Sequence, residues 1–427
     1  MKTHSLPGPD DVASLNLANG IEVLARENHT SPAVVAQGFI VAGSVDEPAD
    51  RAGLASFVAE LLLRGTTHRN FDQINEAIEG VGADISISGG LHTTGFRLKC
   101  LAEDFRVILD VLADALLHPA FPAEQVEKVR GELLTQLRER DNDTRQVAGL
   151  AFRDLAYPPT HPYSRSTRGE RETVARLTRD HLEDFYRAHY GPQGMVIAVV
   201  GAIEQGEAQE AIAEGLGQWT PSGRGAQTTL PPSAPIAEIR RDYRELAGKT
   251  QADIVLGHPG LTRNNPDYMA AALANMVLGG FGLMGRLGTT VRDEQGLAYY
   301  AFSRLDAGLG PGPWTAVAGV NPRNLDRAIE SIVAEIRRLG ETEVSPEELE
   351  DAKAYMTGSL PLRLETNEGV AQALLDIRLH QLGLDYLQRY AALVNAVSAQ
   401  DVQAVAARYL HADSYALAIA GPSTDAG

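Results

Sequence analysis

The sequence predicts an α+β fold with two homologous domains, each a mainly antiparallel sheet covered on one face by helices. Three observations support this fold class. The chain contains an internal repeat. In each half, predicted strands come in runs and are followed by runs of predicted helices. A segment rich in Pro, Gly, Ser and Thr separates the two halves. Runs of strands followed by runs of helices are typical of sheets whose helices lie together on one face.

The repeat relates segments 178–201 and 398–421, each of which reads as a helix, a polar turn and a buried strand ending in glycine. Thr178 and Ser398 are suited to cap these helices, because a side-chain hydroxyl accepts from a free amide of the first turn. Chance similarity of two helix–strand units is the alternative, but one constant offset favours duplication. The positions that share the offset are Thr178 and Ser398, Leu182 and Val402, Phe185 and Val405, and Gly201 and Gly421.

The segment 218–235 predicts a linker, because its composition favours neither helix nor sheet. We therefore expect an N-terminal domain over 12–217 and a C-terminal domain over 236–427. Hydrophobic patterning predicts the order of elements in the first half. These are strands at 21–24 and 34–41, a helix from about residue 52, a helix at 70–79, strands at 84–88 and 94–101, and helices at 107–117 and 123–140.

The composition excludes several classes of function. A formal net charge of −18 argues against a nucleic-acid partner, which requires a basic surface. The sequence has no apolar run of the roughly 18 residues that a membrane span needs, and its first residues lack the apolar segment of a secretory signal. Cys100, the single cysteine, is expected to be a small core residue in a reducing compartment. We therefore expect a cytoplasmic protein with no membrane partner.

Two stretches carry most of the functional information. The first is Ala-Gly-Ser-Val-Asp-Glu-Pro at 42–48 with Gly-Leu-Ala-Ser-Phe-Val-Ala-Glu-Leu-Leu-Leu-Arg-Gly-Thr at 53–66, and the second is Val-Arg-Asp-Glu-Gln-Gly-Leu-Ala-Tyr at 291–299. Together with the duplicated halves, they resemble the pitrilysin/insulinase family of zinc peptidases, in particular its two-domain chains of the processing-peptidase kind. The resemblance extends over nearly the whole chain.

In catalytic members of this family, the helix matching 53–66 carries an inverted zinc motif, H-x-x-E-H, and a later helix carries a glutamate ligand. The two histidines share one helix face and bind zinc, while the first glutamate activates water. Here the matching positions are Ser56, Ala59, Glu60 and Gln136, and no two of the eleven histidines are four residues apart. The resemblance therefore implies a chain that holds no metal, with zinc expected in a partner subunit.

The second stretch retains the residue types of the family. Arg292 and Tyr299 keep its spacing of seven residues, and the resemblance implies that they reach a zinc site held by another chain or half. A phenol can donate to a carbonyl oxygen that becomes an oxyanion, and a guanidinium can hold substrate carbonyls. The alternative is that Arg292 forms an ion pair with Asp293 or Glu294 and that Tyr299 only packs.

A glycine-rich segment precedes this stretch, and Gly279, Gly280 and Gly282 are its candidate substrate-binding residues. Glycine density permits a mobile or closely approached backbone. In the resembled family, the zinc-less subunit handles substrate with a glycine-rich loop. A helix end followed by a tight turn explains the same residues equally well.

These observations lead to one hypothesis and its alternatives. The chain is predicted to be the non-zinc-binding subunit of a heterodimeric zinc metallopeptidase, inactive alone, that supplies Arg292 and Tyr299 in trans for peptide hydrolysis. Its expected partners are a homologous subunit with the zinc motif and an unfolded peptide bound at a sheet edge. Without that subunit, a homodimer is expected. The alternatives are a catalytically inert scaffold of the same fold and an autonomous peptidase with other ligands.

Overall fold

The fold is described for residues 6–220 and 229–423 of a computed structural model. The strands are β1 (Ala13–Asn16), β2 (Glu22–Glu27), β3 (Ala33–Ile40), β4 (Asp84–Gly89), β5 (Thr94–Leu101), β6 (Val196–Gly201), β7 (Arg240–Glu245), β8 (Ala252–Pro259), β9 (Ala298–Leu305), β10 (Pro313–Val320) and β11 (Ala416–Gly421). The α-helices are α1 (Leu54–Leu61), α2 (Phe71–Glu79), α3 (Phe105–Leu117), α4 (Ala123–Arg140), α5 (Thr144–Ala156), α6 (Arg171–Arg176), α7 (Arg179–His189), α8 (Gln205–Leu216), α9 (Tyr268–Asn275), α10 (Leu325–Glu341), α11 (Pro346–Arg363), α12 (Asn367–Leu379), α13 (Tyr386–Asn395) and α14 (Ala399–Tyr409). Two π-helical segments, Met276–Gly280 and Gly288–Glu294, follow α9.

The two sheets share one strand order, apart from an additional edge strand in the first. The first sheet runs β1-β2-β6-β3-β5-β4 and the second runs β7-β11-β8-β10-β9. In each sheet one pair is parallel, β2 with β6 and β7 with β11, and the other pairs are antiparallel. This correspondence confirms the predicted α+β fold of two homologous, mainly antiparallel sheets.

The repeated helix–strand unit has the same form in both halves. The Thr178 hydroxyl accepts from His181 N at 3.3 Å, and the Ser398 hydroxyl accepts from Asp401 N at 3.1 Å. In return, the side chains of His181 and Asp401 accept from Thr178 N and Ser398 N at 3.2 and 2.8 Å. Each helix therefore begins with a reciprocal capping box. The strands that follow, β6 and β11, are buried along their whole length.

The chain forms two compact units that do not coincide with the two halves of the sequence. Segment 138–165, which contains α5, belongs to the second unit, and segment 360–388, which contains α12, belongs to the first. The domains predicted over 12–217 and 236–427 correspond to the two copies of the repeat. Each compact unit instead consists of most of one half of the sequence and one helical segment from the other half. The central part of the predicted linker, 221–228, lies outside the described residues.

In the first unit, helices cover both faces of the sheet. One face packs with α1, α3, α7 and α8 through a core cluster that includes Phe57, Leu182 and Ile212. The other face packs with α12, where Leu374 shares a cluster with Val35 of β3. Because both faces of β3 are covered, its sequence is a nearly continuous run of apolar residues and does not alternate between apolar and polar residues.

In the second unit, α5 lies against β8 and β11. Thr144 at its start donates to the buried carboxylate of Asp253, and the Arg145 guanidinium lies over the rings of Tyr300 and Phe302 at 5.2 and 4.9 Å. Helices α9, α10 and α14 pack together on the other side of this sheet. Since successive strand residues face opposite sides, α5 covers one side of β9 and α9 the other.

Two expectations from composition can be compared with the structure. Among the described helices, none combines the length and the apolar character that crossing a bilayer requires. Cys100 is buried in β5, and burial, with a smaller contribution from Asp104, raises the pKa of its thiol to about 12. The prediction that Cys100 is a core residue is therefore confirmed, and its thiol is unreactive at neutral pH.

Candidate functional site

A buried carboxylate holds the N-terminus of α1. Gly53 precedes the helix with a left-handed φ of +97°, and the Glu47 carboxylate accepts from Gly53 N and Ala55 N at 3.0 and 2.9 Å. Glu47 is 4% exposed, and it satisfies amides that a helix leaves without backbone partners. A Cβ at Gly53 would lie 2.7 Å from the carbonyl oxygen of Arg168. These contacts fix the position of α1.

The three motif positions on α1 differ in burial. Ser56 and Ala59 are buried, at 7% and 1% exposure, whereas Glu60 is exposed. Ser56 lies against the end of β4, because a Cβ on Gly89 would come within 2.8 Å of the Ser56 Cα. The helix therefore contacts an edge strand at the position where catalytic members have their first histidine.

Helix α4 is tied to the end of α1 and carries the fourth motif position. Arg64, just beyond α1, forms an ion pair with Glu132 at 2.8 Å. Gln136 lies one turn after Glu132, is exposed, and accepts from Arg168 at 3.4 Å through its amide oxygen. The two helices that the resemblance matches to the zinc-ligand helices of the family are therefore in contact through this ion pair.

These four positions do not fit zinc. Ser56 offers a hydroxyl, Ala59 a methyl group, Glu60 a carboxylate and Gln136 an amide. Protein sites for Zn²⁺ use three or four ligands, chiefly imidazole nitrogen, thiolate and carboxylate. One carboxylate without an imidazole does not hold the ion, and Ala59 has no group that could activate water. No hydrolytic step can therefore be assigned to α1 of this chain.

Arg292 lies in the π-helical segment Gly288–Glu294, shortly before the edge strand β9. Its Nη1 is 3.2 Å from Oδ1 of Asp293, which is one of the ion pairs that the sequence leaves open as an alternative. The Arg292 side chain is 36% exposed. Exposed ion pairs contribute only about 0–1 kcal/mol, so the guanidinium can exchange Asp293 for another acceptor at small cost.

Tyr299 is the second residue of β9 and is 60% exposed. The register between β9 and β10 shifts at this residue, because Ala298 pairs with Val320 and Tyr300 pairs with Gly319. Further along β9, the Ser303 hydroxyl donates to the Asn275 carbonyl of α9 at 2.9 Å. The hydroxyl of the neighbouring Tyr300 donates to the buried carboxylate of Asp253. Tyr300 is therefore part of the packing around α5, whereas the Tyr299 phenol lies at the surface of this unit.

An ion pair anchors the segment that carries Arg292. Arg286 Nε and Nη2 donate to the two carboxylate oxygens of Glu348 in α11 at 2.6 and 3.0 Å, a bidentate geometry. The hydrogen bond from Arg286 outweighs partial burial and lowers the pKa of Glu348 to about 2. Thr290 donates to Glu335 of α10 at 3.1 Å. The segment is thus bound to two helices of its own unit.

Local backbone geometry explains the three candidate substrate-binding glycines. A Cβ on Gly279 would lie 2.5 Å from Ser303 N, and one on Gly280 would lie 2.7 Å from the sulfur of Met276. Gly282 has open space around its Cβ direction but a left-handed φ of +65°, which other residues adopt at a cost. Close packing at Gly279 and Gly280 and a left-handed turn at Gly282 therefore account for all three, and their contact with substrate stays a prediction.

Comparison with known proteins identifies the family. The family model described as Insulinase (Peptidase family M16) matches residues 22–161, and the one described as Peptidase M16 inactive domain matches residues 176–356. An uncharacterized zinc protease of Mycobacterium leprae is 27% identical and aligns over 96% of this chain and 92% of its own length. A probable mitochondrial-processing peptidase subunit beta of Arabidopsis thaliana is 25% identical over 99% of this chain and 80% of its own length.

Solved structures have the same fold. A peptidase M16 inactive domain from Pseudomonas fluorescens matches with a TM-score of 0.89 and 24% identity over 97% of this chain and 98% of its own. A protease from Helicobacter pylori matches with a TM-score of 0.91 and 20% identity over 98% of this chain and 100% of its own. The two sheets and the two family matches together define a two-domain chain of a zinc-peptidase family. The chain belongs to the pitrilysin/insulinase family, peptidase family M16.

Proposed function

We propose that this chain is the non-zinc-binding subunit of a heterodimeric zinc metallopeptidase. One observation carries the proposal: the four motif positions lack a zinc-binding set, while Arg292 and Tyr299 keep the family's residue types and are accessible. A homologous subunit with the intact motif would supply the metal and the activated water. This chain would supply groups that bind the peptide and its transition state, and it would be inactive alone.

Tyr299 is assigned to the developing oxyanion. When water adds to a peptide carbonyl, negative charge accumulates on the oxygen, and a phenol aimed at it stabilises the transition state more than the substrate. One such donor contributes about 3 kcal/mol, or roughly a hundredfold in kcat. The exposure of Tyr299 leaves its hydroxyl accessible to a substrate held largely by another chain.

Arg292 is assigned to carbonyl oxygens of the substrate backbone. Its planar guanidinium presents donors in a fixed fork, so two hydrogen bonds can set the register of an extended peptide. The contacts of Arg286 with Glu348 and of Thr290 with Glu335 hold the segment from which Arg292 projects. Substrate binding therefore needs to order little more than the Arg292 side chain.

The proposed substrate is an unfolded peptide in extended conformation. β4 and β9 are edge strands, and an extended peptide can add to such an edge through main-chain hydrogen bonds. β4 contacts α1 in the first unit, and β9 contains Tyr299 in the second. Each unit therefore offers an edge beside the residues that the resemblance associates with catalysis.

Peptide cleavage by the purified chain, alone and mixed with a homologous H-x-x-E-H protein from the same organism, tests the proposal. A broad set of fluorogenic peptides serves as substrate. We expect cleavage only in the mixture, and we expect a chelator to abolish it. Cleavage by this chain alone would show that the motif positions at Ser56, Ala59, Glu60 and Gln136 are wrongly assigned.

A catalytically inert scaffold is the second candidate function. The loss of both imidazole positions on α1 favours it, because a scaffold needs the packing of this helix but not its ligands. It predicts a stable complex in which peptide cleavage does not depend on Arg292 or Tyr299. Light scattering on the isolated chain would also test the expected homodimer, which both candidate functions allow.

A further inference from the structure

Two histidines and an aspartate come together in the first unit, at residues distinct from the four motif positions. Asp114 and His118 are four residues apart at the end of α3, so they project from one side of the helix. His68 belongs to the loop after α1. One ligand atom from each of the three residues, an imidazole nitrogen or a carboxylate oxygen, lies within 4.8 Å of the others.

Backbone hydrogen bonds hold this loop against the end of α3. Thr66 and Pro119 form an isolated β-bridge, and Thr67 N donates to the His118 carbonyl at 2.9 Å. His118 N in turn donates to the Asp114 carbonyl at 2.9 Å and completes the last turn of the helix. Backbone pairing between the loop and the end of α3 therefore brings the three side chains close together.

The Asp114 carboxylate is held in one orientation. Asp114 is 7% exposed, and its Oδ2 accepts from Thr66 Oγ1 at 2.6 Å and from Arg69 Nη1 at 2.8 Å. Its Oδ1 is 2.6 Å from Nδ1 of His68. A carboxylate that is fixed through its second oxygen keeps its orientation, which strengthens metal binding in known sites.

The two imidazoles lie on the accessible side of this carboxylate. The ring centroids of His68 and His118 are 4.9 Å apart, with an interplanar angle of 88°. Both histidines are exposed, one on a loop and the other at a helix end. Their side chains can therefore adjust to an ion, and solvent can fill the coordination positions that the protein does not occupy.

We propose that His68, Asp114 and His118 bind a divalent transition-metal ion of the Zn²⁺ type. Two imidazole nitrogens and one carboxylate oxygen suit Zn²⁺, Ni²⁺ or Cu²⁺, whereas Ca²⁺ and Mg²⁺ prefer oxygen ligands alone. Three protein ligands with water in the open position is an established arrangement for zinc. An imidazole nitrogen binds the ion only when that nitrogen carries no proton.

This site does not depend on the proposed peptidase role. The expectation of a metal-free chain comes from the α1 motif and Gln136, and none of the three ligands belongs to those positions. A bound ion would link the loop after α1 to the end of α3. Metal binding would therefore stabilise the first unit, because the ion binds the folded chain better than the unfolded one.

The test uses the full-length chain, stripped of metal with a chelator and then titrated with Zn²⁺ by calorimetry. We expect one equivalent to bind and Tm to rise with the Zn²⁺ concentration. His68→Ala and His118→Ala should each weaken binding by about tenfold or more. Both residues are exposed, so these variants should fold. Without zinc, the Tm of His118→Ala should equal that of the wild type, whereas His68→Ala also loses the contact with the Asp114 carboxylate and should have a slightly lower Tm.

His29→Ala is the matched control. The side chains of His29 and His68 are both 60% exposed, and His29 also has a carboxylate neighbour, Glu27 at 3.9 Å, but it lies outside the cluster. Its replacement should leave Zn²⁺ affinity unchanged. Absence of a saturable site in the wild type, or equal affinity of the wild type and both cluster variants, would overturn the proposal. Peptide cleavage is not measured, so the proposed function can fail or succeed separately.

Discussion

Helix α1 and the segment 288–299 both match parts of the family that are associated with catalysis. The residue types that the resemblance associates with catalysis are missing from α1 but present in the segment 288–299. α1 is well packed, since Phe57 is fully buried and Glu47 caps the first turn, while the positions that the resemblance matches to zinc ligands carry no imidazole. The second segment keeps Arg292 and Tyr299, and both are accessible. The comparison teaches that a helix can be held firmly in its fold by one face without carrying a metal-binding set of side chains on the other.

The largest expected effect on stability belongs to the packing face of α1. Phe57 is 0% exposed, so Phe57→Ala should leave a cavity and lower the free energy of unfolding by about 3–5 kcal/mol. Tyr299→Ala removes a ring that is 60% exposed and should change it by less than about 0.5 kcal/mol. Urea denaturation measures both. Equal losses would show that Tyr299 is a structural residue, and the contrast would fail.

The next effect concerns the cap of α1. Glu47→Gln removes the charge and one of the two oxygens that accept from buried amides, and it should cost about 1–3 kcal/mol. Glu60→Gln on the same helix is the control, because Glu60 is exposed and should tolerate the change. Denaturation of both variants compares a structural carboxylate with one at a motif position. A comparable cost at Glu60 would mean that it has a structural partner.

A smaller effect is expected from the other region. Arg292→Lys keeps the charge but loses the fixed fork of donors, so kcat/KM of the complex should fall about tenfold. Arg337→Lys, at an arginine of α10 whose side chain is 42% exposed against 36% for Arg292, should leave the rate unchanged. Steady-state kinetics with one fluorogenic peptide compares them. Equal rates for both variants would leave Arg292 without a role in substrate binding.

The last prediction of this comparison concerns the ion pair that anchors this segment. The ordinary pKa of a glutamate, 4.5, is lowered to about 2 for Glu348, chiefly by the Arg286 guanidinium. A carboxyl with a lower pKa in the folded state contributes stability above its unfolded pKa and loses it as pH falls toward the folded value. The stability difference between wild type and Glu348→Gln should therefore shrink as pH falls from about 4.5 toward 2. Urea denaturation across this window checks it, and a constant difference would contradict it.

Much of the fold can be predicted because its signals are local. The predicted strand 94–101 and helix 123–140 coincide with β5 and α4, and the hydroxyls of Thr178 and Ser398 mark helix starts. The placement of α5 and α12 cannot be predicted in this way. An apolar helix face shows that the helix is buried but not which sheet it meets, so the exchange between halves depends on tertiary packing.

The candidate sites are predictable only in part. The resemblance locates the positions on α1 and the Arg292 segment, but burial of Ser56 against β4 follows from packing. A search for two histidines four residues apart misses the histidine–aspartate cluster, because its helical pair is an aspartate and a histidine. The second histidine, His68, is 46 residues from Asp114 in the sequence. The available signal is Asp114 and His118 at helical spacing, which a search that includes carboxylates would find.

The central claim is that this chain contributes Tyr299 to a reaction whose metal another subunit holds. The most direct test is kcat of the assembled complex with Tyr299→Phe, which removes one hydroxyl. The control is Tyr355→Phe on α11, at a tyrosine that is 53% exposed against 60% for Tyr299. We predict a kcat roughly a hundredfold lower for Tyr299→Phe, with normal assembly, and an unchanged rate for the control. An unchanged kcat for Tyr299→Phe would contradict the claim and favour the scaffold.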